Sequence, residues 1–516
     1  MADAPREDRR NRASTIALSL ISHTNAGKTT LARTLVGRDV GTVRDAQHVT
    51  QESTAYPLIE TDDGEAMLLW DTPGFGDSAR LARRLAQQGN PVGWLLSQVW
   101  DRFRDPAFFL SQQAVRNVRD QADVVLYLVN ASESPQDAGY LGPELDVLAW
   151  IGTPVIVLVN QTGAPRPRDE ETAQEATWRA ALGPRPVIRA VATLDAFTRC
   201  WVQEIALLDL VGDALPAPRR ALNARLASAW QARRLAQFDR AMEALAAPIA
   251  AAACDREPLP EAPARIALRD IGRSLGIGKD PAERARTRAS AALATRVDES
   301  LRRSTDELIV LYGLDGRAKG DVLARLAAGV TLDAPVSERK AALMGGAVSG
   351  ALTGLAADLA AGGLTFGAGM LTGAVLGALG GAGIARGMNL ARGKSGAALR
   401  WDDAFLSGLV TSALLRYLAV AHYGRGRGEW AESEYPPFWS ALAAAIVGER
   451  RDRLAELWSM REPACDTAAV AAALHAILHD AASEMLDRLY PGALAHHPGD
   501  VGSHVAPIAA NTDGKS

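Results

Sequence analysis

The feature that most constrains this chain is a short loop between an apolar run and a helical pattern near the N-terminus. The apolar run Thr15–Ile21 leads into Ser22-His23-Thr24-Asn25-Ala26-Gly27-Lys28-Thr29, and a helical pattern follows from Thr30. A strand, a loop and Gly-Lys-Thr opening a helix form an arrangement that binds di- and triphosphates, because backbone N–H groups and the helix dipole attract negative charge. The sequence therefore predicts a phosphate-binding loop.

Each residue type in this loop has a predicted task. The Lys28 ammonium would reach the β- and γ-phosphates, and the Thr29 hydroxyl would ligate Mg²⁺. Ser22 stands where the motif usually has its first glycine, and serine adopts unusual backbone dihedrals at a higher cost. The residues predicted to contact the phosphates are Ser22, Thr24, Asn25, Ala26, Gly27, Lys28, Thr29 and Thr30.

A second motif ends the predicted strand Ala66–Trp70 with Asp71-Thr72-Pro73-Gly74. The Asp71 carboxylate, at the C-terminal end of a neighbouring parallel strand, would hold Mg²⁺ through a water molecule, and the Gly74 N–H would bind the γ-phosphate. A Pro-Gly turn after a strand is also common without any ligand. Because two parts of one site occur in the expected order, the sequence predicts a P-loop nucleotide site within roughly the first 200 residues.

Alternating strand and helix patterns divide the chain by fold class. The strand candidates are Thr15–Ile21, Thr54–Ile59, Ala66–Trp70, Val124–Val129, Pro154–Asn160 and Pro186–Val191. Apolar strands alternating with helices predict an α/β domain with a mostly parallel sheet and helices on both faces. After the Pro-rich stretch at 215–219 the strand signal ends, and helical patterns continue to about residue 490. The predicted parts are a disordered tail at 1–14, the P-loop domain at 15–212, an all-α domain at 213–490 and a disordered tail at 491–516.

Charge and cysteine content narrow the class of protein and the compartment. Lys and Arg number 56 against 60 Asp and Glu, so the net charge gives no reason to expect a nucleic-acid partner. The cysteines Cys200, Cys254 and Cys465 are far apart in the sequence and match no metal-ligand spacing. A disulfide framework is not expected, which favours a reducing, cytoplasmic location. The polar N-terminus is followed by no apolar h-region, so we expect no secretion.

A glycine-rich segment at 341–386 differs from the rest of the helical half. Asp358 is the one charged residue between Lys340 and Arg386, and glycines recur every fourth residue on both sides of Gly362-Gly363. This spacing predicts two helices that pair through glycine faces. Either the hairpin contacts a membrane, which would place the protein peripherally at the inner membrane, or other helices of a soluble domain cover it. The stretch after Asp358 is about long enough to span a bilayer, at roughly 20 residues per span, whereas its Gly and Ala content makes insertion only weakly favourable.

Both nucleotide motifs carry a family resemblance. The runs His-Thr-Asn-Ala-Gly-Lys-Thr-Thr-Leu and Trp-Asp-Thr-Pro-Gly-Phe resemble the Era/TrmE branch of bacterial regulatory GTPases. The motif resemblance extends from Thr15 to about Trp201. The helical half with its glycine-rich hairpin resembles a bacterial group in which this domain is fused to a C-terminal domain of unknown function. The resemblance implies a Ras-like G domain, GTP and GDP as ligands with Mg²⁺, and a conformational cycle driven by hydrolysis.

The resemblance assigns further residues, with two departures. The first switch would lie between Gly37 and Ser53, with Thr50 as its Mg²⁺ ligand and Ser53 and Thr54 as alternatives. The base-recognition strand would end in Asn160-Gln161-Thr162-Gly163, where Gly163 replaces the aspartate that reads guanine. The last base loop would lie near Thr193. Phe75 stands where Ras-like proteins have a water-orienting glutamine. The catalytic residues that the resemblance implies are Lys28, Thr50 and Gly74.

Three functions remain open from the sequence. The preferred interpretation is a regulatory GTPase whose nucleotide state moves the helical half. A nucleotide-binding scaffold with negligible hydrolysis is suggested by Phe75 and by the missing aspartate, and an ATP-using P-loop protein is kept open by Gly163. Asn25 matches an asparagine that, in TrmE-like proteins, helps to bind K⁺ when two G domains meet; the alternative is that Asn25 only shapes the loop. A nucleotide-dependent G-domain dimer is therefore a further expectation.

Overall fold

The computed structural model describes residues 13–23, 26–37, 53–75, 78–86, 92–93, 95, 105–163, 165–259, 281–314, 388–393, 396–424, 436–461, 465–492 and 494. These residues belong to two compact units. The first is bounded by Met1–Leu235, His422–Glu429 and Leu486–Ser516, and the second by Ala236–Ala421 and Trp430–Met485. The glycine-rich segment 341–386 and most of both predicted tails lie outside the described residues, so their structure stays a prediction.

The first unit contains a six-stranded sheet with the order β2-β3-β1-β4-β5-β6. Neighbouring strands are parallel except β2 and β3, which are antiparallel. The strands are β1 (Thr15–Ser22), β2 (Thr54–Glu60), β3 (Ala66–Asp71), β4 (Val124–Asn130), β5 (Val155–Asn160) and β6 (Ile188–Thr193). The central strands are buried almost throughout because helices cover both faces. The predicted Ras-like α/β fold is confirmed, and every predicted strand is present with ends that differ by a few residues.

The helices of this part alternate with the strands. They are α1 (Lys28–Val36), α2 (Ser78–Leu85), α3 (Pro106–Asp120), α4 (Leu141–Ile151), α5 (Arg168–Leu182) and α6 (Trp201–Ala214). Strand β1 lies between β3 and β4, so the chain runs outward from β1 in both directions. Ligands of open α/β sheets bind outside the carboxyl ends of the strands at such a switch point. The residues that end β1, β3, β5 and β6 therefore lie along the same edge of the sheet.

A long helix, α7 (Ala217–Cys254), begins just after α6 and holds the sheet through arginines in its first turns. Arg219 donates to the Thr15 carbonyl at 2.5 Å and to the Asp123 carboxylate at 2.6 Å. Arg225 makes a bidentate contact with Glu65, which lies at the turn between β2 and β3. These contacts fix the start of α7 against β1, the residue before β4 and the β2–β3 hairpin.

The C-terminal region is helical, as predicted. Its further helices are α8 (Pro281–Leu311), α9 (Asp403–Ala421), α10 (Pro437–Glu449), α11 (Arg451–Ser459) and α12 (Thr467–Leu489). The sequence did not predict the small antiparallel sheet among them, in which β9 (Gly396–Trp401) pairs with β8 (Met388–Gly393) and with β7 (Glu257–Pro258). The region is therefore not all-α: β8 and β9 form a local hairpin, and the distant strand β7 pairs with β9.

One predicted helix is divided in the structure. The pattern over Ser440–Met460 predicts a single helix, whereas α10 ends at Glu449 and α11 starts at Arg451. Arg450 leaves the helical conformation with φ −101° and ψ 13°. Its guanidinium lies against the carboxylates of Asp480 and Glu484, at 3.0 and 2.5 Å. This buried arginine pairs with α12, and the pairing occurs at the break.

Among the described residues, one helix is long and apolar enough to cross a membrane, α9 at Asp403–Ala421. About 67% of its apolar stretch is buried inside the protein. Arg416 within it is buried and donates to the Leu301 carbonyl and the Thr305 hydroxyl of α8. A core helix has these properties, so α9 by its length is weak evidence for a membrane span.

The structure corrects the expectation that the cysteines stay unpaired. Cys254, at the end of α7, forms a disulfide with Cys465, just before α12, with 5.4 Å between their Cα atoms. The separation is typical of disulfides. Sequence spacing could not indicate the pair, since 211 residues separate the two cysteines. Cys200 is free and buried, and burial raises the pKa of its thiol to about 12.

The disulfide gives a first testable prediction. Oxidised full-length protein should migrate faster than reduced protein in denaturing electrophoresis, because the bond closes a loop over a separation of 211 residues. Cys254→Ser should migrate like the reduced chain under both conditions. Cys200→Ser is the matched control and should retain the difference, since that thiol is buried and protonated. Equal mobility of the unmodified chain with and without reductant would contradict the pairing.

Candidate functional site

The backbone turn between β1 and α1 depends on Gly27. Gly27 precedes α1 with φ 86° and ψ 24°, in the left-handed region that glycine tolerates. A Cβ at this position would lie 2.7 Å from the Asn160 side-chain nitrogen. The α1 helix therefore starts at Lys28 with its N-terminus at the carboxyl edge of the sheet, where its N–H groups favour an anion.

Lys28 is buried at the start of α1. Its Nζ donates to the Ser22 Oγ at 2.9 Å, and 8% of the residue is exposed. Burial lowers the pKa of Lys28, and the negative charges of Asp71 and Glu144 oppose that shift. The substitution of the first loop glycine by Ser22 thus has a consequence in the structure, because the serine hydroxyl accepts a hydrogen bond from the loop lysine.

Thr29 and Asp71 lie next to each other. The Thr29 hydroxyl donates to Asp71 Oδ2 at 2.7 Å, whereas the buried Asp71 Oδ1 has no hydrogen-bond partner among the residues that the structure describes. Burial raises the pKa of Asp71, and the Thr29 hydrogen bond and the charges of Lys28 and Arg33 act in the opposite direction. Hydroxyl and carboxylate oxygens are the donors that Mg²⁺ prefers. An unsatisfied buried carboxylate oxygen beside a threonine hydroxyl fits a magnesium site.

The segment after β3 lies against β1. The Phe75 N–H donates to the Ser22 carbonyl at 3.1 Å, and Phe75 forms a parallel bridge with His23. The Phe75 ring is fully buried among apolar side chains that include Ile21 and Leu81. Phe75 therefore packs in the core and does not orient water, and Gly74 is buried directly before it.

Asn160 connects three segments at the carboxyl end of β5. Its Nδ2 donates to the Ala26 carbonyl of the phosphate loop, and its Oδ1 accepts from the Ala196 N–H, both at 2.8 Å. Asn160 is fully buried at the end of β5. One side chain thus joins the phosphate loop, the fifth strand and the loop after β6.

The residues after Asn160 adopt unusual backbone conformations. Gln161 has φ 60°, which is rare for a residue other than glycine, and Gly163 has φ 83°. Thr193 ends β6, and its N–H donates to Glu175 Oε1 at 2.8 Å. The structure places Gln161 and Thr193 at the same edge as Asn160. Their contact with a base stays a prediction.

Asp195, which sequence analysis did not indicate, connects the loops that follow β5 and β6. Asp195 is almost fully buried, and its Oδ2 accepts from the Thr162 N–H and hydroxyl, at 2.5 and 2.9 Å. Its Oδ1 accepts from the Phe197 N–H at 2.6 Å. Burial raises the pKa of Asp195, and these hydrogen bonds oppose the shift. Through these hydrogen bonds Asp195 joins the loop after β5 to the loop after β6.

A second group missed by sequence analysis lies behind the phosphate loop. Glu144 on α4 is fully buried, and its two oxygens contact His23 Nδ1 at 2.7 Å and the Tyr127 hydroxyl at 2.8 Å. The ring of Tyr140 stacks on His23 with centroids 4.3 Å apart. No local pattern marks these residues, since they come from a loop, a strand and a helix.

Some of the remaining predicted site residues lie outside the described part of the chain, and others lie in β2 and α1. Thr24, Asn25 and Thr50 lie outside the described residues. Thr54, an alternative to Thr50, opens β2 in register with Asp71. Thr30 is buried in α1. The structure brings together Ser22, Ala26, Gly27, Lys28, Thr29, Asp71, Gly74 and Asn160 at one edge of the sheet.

Two protein-family models together match most of the chain. Residues 18–161 match the family described as 50S ribosome-binding GTPase, and residues 179–489 match the family described as domain of unknown function DUF3482. No curated protein matches the chain.

Several solved structures are similar over part of the chain. Era of Aquifex aeolicus bound to GDP·AlF4⁻ is 15% identical, with a TM-score of 0.28 over 39% of this chain and 57% of that chain. Era in complex with MgGDPNP and a 16S ribosomal RNA segment is 15% identical, with a TM-score of 0.30 over 58% of this chain and 90% of that chain. The FeoB G-domain of Methanococcus jannaschii is 15% identical, with a TM-score of 0.20 over 35% of this chain and 86% of that chain. At these scores the matches carry no argument about the ligands or partners of this chain.

The loop geometry predicts the result of two glycine substitutions on the same helix. Gly27 and Gly37 flank α1, both at positive φ, but an added Cβ meets Asn160 at Gly27 and open space at Gly37. Both alanine variants should lose about 1–2 kcal/mol of stability from the left-handed backbone. Only Gly27→Ala should also lose binding of a fluorescent guanine nucleotide, by at least about tenfold. Denaturant unfolding and fluorescence titration measure the two effects, and equal nucleotide affinities of the two variants would refute the loop assignment.

Proposed function

The chain belongs to the DUF3482 family, here with a P-loop GTPase domain before the family's domain of unknown function, and we propose that it is a regulatory GTPase. The proposed reaction is the Mg²⁺-dependent hydrolysis of GTP to GDP and phosphate. The observation that carries the proposal is the meeting of Lys28, Thr29 and Asp71 at the carboxyl edge of the sheet, with an unpaired buried carboxylate oxygen.

The residues of the chain have separate proposed tasks. Lys28 exchanges its hydrogen bond to Ser22 for one to the phosphate chain, and the N–H groups at the start of α1 bind the same oxygens. Thr29 and Asp71 would hold Mg²⁺, with Thr50 as the proposed further ligand from the first switch. The metal ion, when bound, neutralises charge on the phosphate oxygens. Gly74 offers its N–H to the terminal phosphate.

Hydrolysis by this site alone is expected to be slow. The Phe75 side chain is packed in the core, so the position after Gly74 supplies no group that orients water. We propose that such a group comes from elsewhere, and K⁺ bound near Asn25 in a dimer of G domains is one candidate. The same observation favours the alternative of a nucleotide-binding scaffold with negligible hydrolysis.

The switch function and the location also stay proposals. The β2–β3 hairpin connects the region of the first switch to Asp71, and α7 holds that hairpin through Arg225 and Arg233. A nucleotide-dependent shift of the hairpin would therefore act on α7. Membrane contact through 341–386 and a peripheral place at the inner membrane are proposed on the glycine pattern of that segment.

The proposed activity is tested first by nucleotide titration. GTP and GDP should bind the full-length protein with Mg²⁺. If another group compensates for Gly163, GTP should bind at least about tenfold tighter than ATP, a difference of about 1.4 kcal/mol. Lys28→Ala should abolish binding while the protein stays folded, because the variant lacks the buried ammonium. Arg116→Ala is the control, since Arg116 is exposed on α3.

Phosphate release then separates the two candidate functions. Multiple-turnover release of phosphate from GTP, with and without K⁺, is expected of a GTPase. Binding without release in either condition would favour the scaffold. Unchanged GTP affinity in a folded Lys28→Ala variant would exclude the P-loop assignment itself.

The base preference has its own test at Gly163. Its φ of 83° is strained for other residues, but nothing lies within 4 Å of an added Cβ. Gly163→Asp introduces the carboxylate that would accept two hydrogen bonds from guanine, so the ratio of GTP to ATP affinity should rise about tenfold. Gly163→Asn is the matched control, because asparagine tolerates the same backbone but lacks the charge. A rise in the ratio of equal size in both variants would argue against recognition by the carboxylate.

A further inference from the structure

The buried carboxylate of Glu144 lies beside the phosphate loop and has no task in the proposed hydrolysis. No part of Glu144 is exposed, and its oxygens contact His23 of the loop and Tyr127 of β4. A buried carboxylate costs stability unless charged or hydrogen-bonded partners compensate it. An apolar residue would fill this place on α4 without that cost, so the carboxylate has an effect that an apolar residue would not supply.

The contacts of Glu144 continue to the loop lysine. Glu144 Oε1 lies 2.7 Å from His23 Nδ1, and the His23 ring is fixed from its face by Tyr140. The His23 carbonyl accepts from the Ser22 hydroxyl at 2.5 Å, and the same hydroxyl oxygen accepts from Lys28 Nζ at 2.9 Å. Three consecutive contacts thus connect the carboxylate on α4 to the ammonium that is proposed to bind phosphate.

We propose that Glu144 is a positioning residue for the phosphate loop, which it fixes by holding the His23 ring. The inference rests on the proposed function, since its ligand is the phosphate chain of a guanine nucleotide. The direction in which nucleotide affinity changes when Glu144 is neutralised distinguishes a positioning role from a purely electrostatic one. A carboxylate that merely lay nearby would repel the phosphates, so its neutralisation would tighten binding. Loss of a positioning residue weakens binding instead.

The test measures the dissociation constant of fluorescent GDP for four variants of the full-length protein at one pH. Glu144→Gln and His23→Ala should each weaken binding at least about tenfold, and the double variant should be no weaker than the poorer single variant, because both remove the same contact. Tyr127→Phe is the matched control. It removes the hydrogen bond to the other oxygen of the same carboxylate, away from the loop, and should change affinity less than about twofold while lowering thermal stability.

Each outcome decides the proposal. Glu144→Gln that binds GDP as tightly as the unmodified protein, or tighter, overturns it. So do single effects that multiply in the double variant, since Glu144 would then act without His23. Where Glu144→Gln does not fold, His23→Ala with unchanged affinity is sufficient to overturn it, because His23 is partly exposed. Absence of GDP binding by the unmodified protein would overturn the proposed function as well, which distinguishes the two failures.

Discussion

The hydrogen bonds of the Asn160 side chain are the interaction on which the rest of the site depends. One buried amide joins the carbonyl of Ala26 to the N–H of Ala196, so the phosphate loop and the loop after β6 are fixed to the same strand end. The amide also explains the glycine at position 27, because its nitrogen occupies the space that a Cβ would need. Asn160 therefore determines how the phosphate loop and the loop after β6 lie relative to the end of β5.

Buried charges of both signs lie at this edge of the sheet. Lys28 and Arg33 are positive and act on Asp71, whereas Asp71 and Glu144 are negative and act on Lys28. Burial opposes the charged forms of Lys28 and Asp71, which lowers the pKa of the lysine and raises that of the aspartate. A phosphate chain would add further negative charge, so a divalent cation at the unpaired oxygen of Asp71 is the compensation that the electrostatics favours.

Local patterns were sufficient to predict the sheet and the core of the site, and contacts between distant residues were not predictable. The strands are near-continuous apolar runs. Lys28 follows the loop after one of them and Asp71 ends the neighbouring parallel strand, so their meeting follows from a parallel sheet. Asp195 and Glu144 are isolated acidic residues in the sequence, and only the tertiary fold shows that they are buried. The same holds for Cys254 and Cys465, which are 211 residues apart. Arg450 breaks a helical pattern because its partners are on α12.

The N-terminal half of α7, to Leu235, belongs to the first unit and packs on its helix α6. Glu204 on α6 is buried between the guanidinium groups of Arg199 and Arg234, and the indole of Trp230 also donates to it. A fragment cut after the last sheet strand and α6 would retain one of these two arginines and would expose the faces that α7 covers. A fragment that is to keep both arginines around Glu204 must therefore extend to about residue 235, where the first segment of this unit ends.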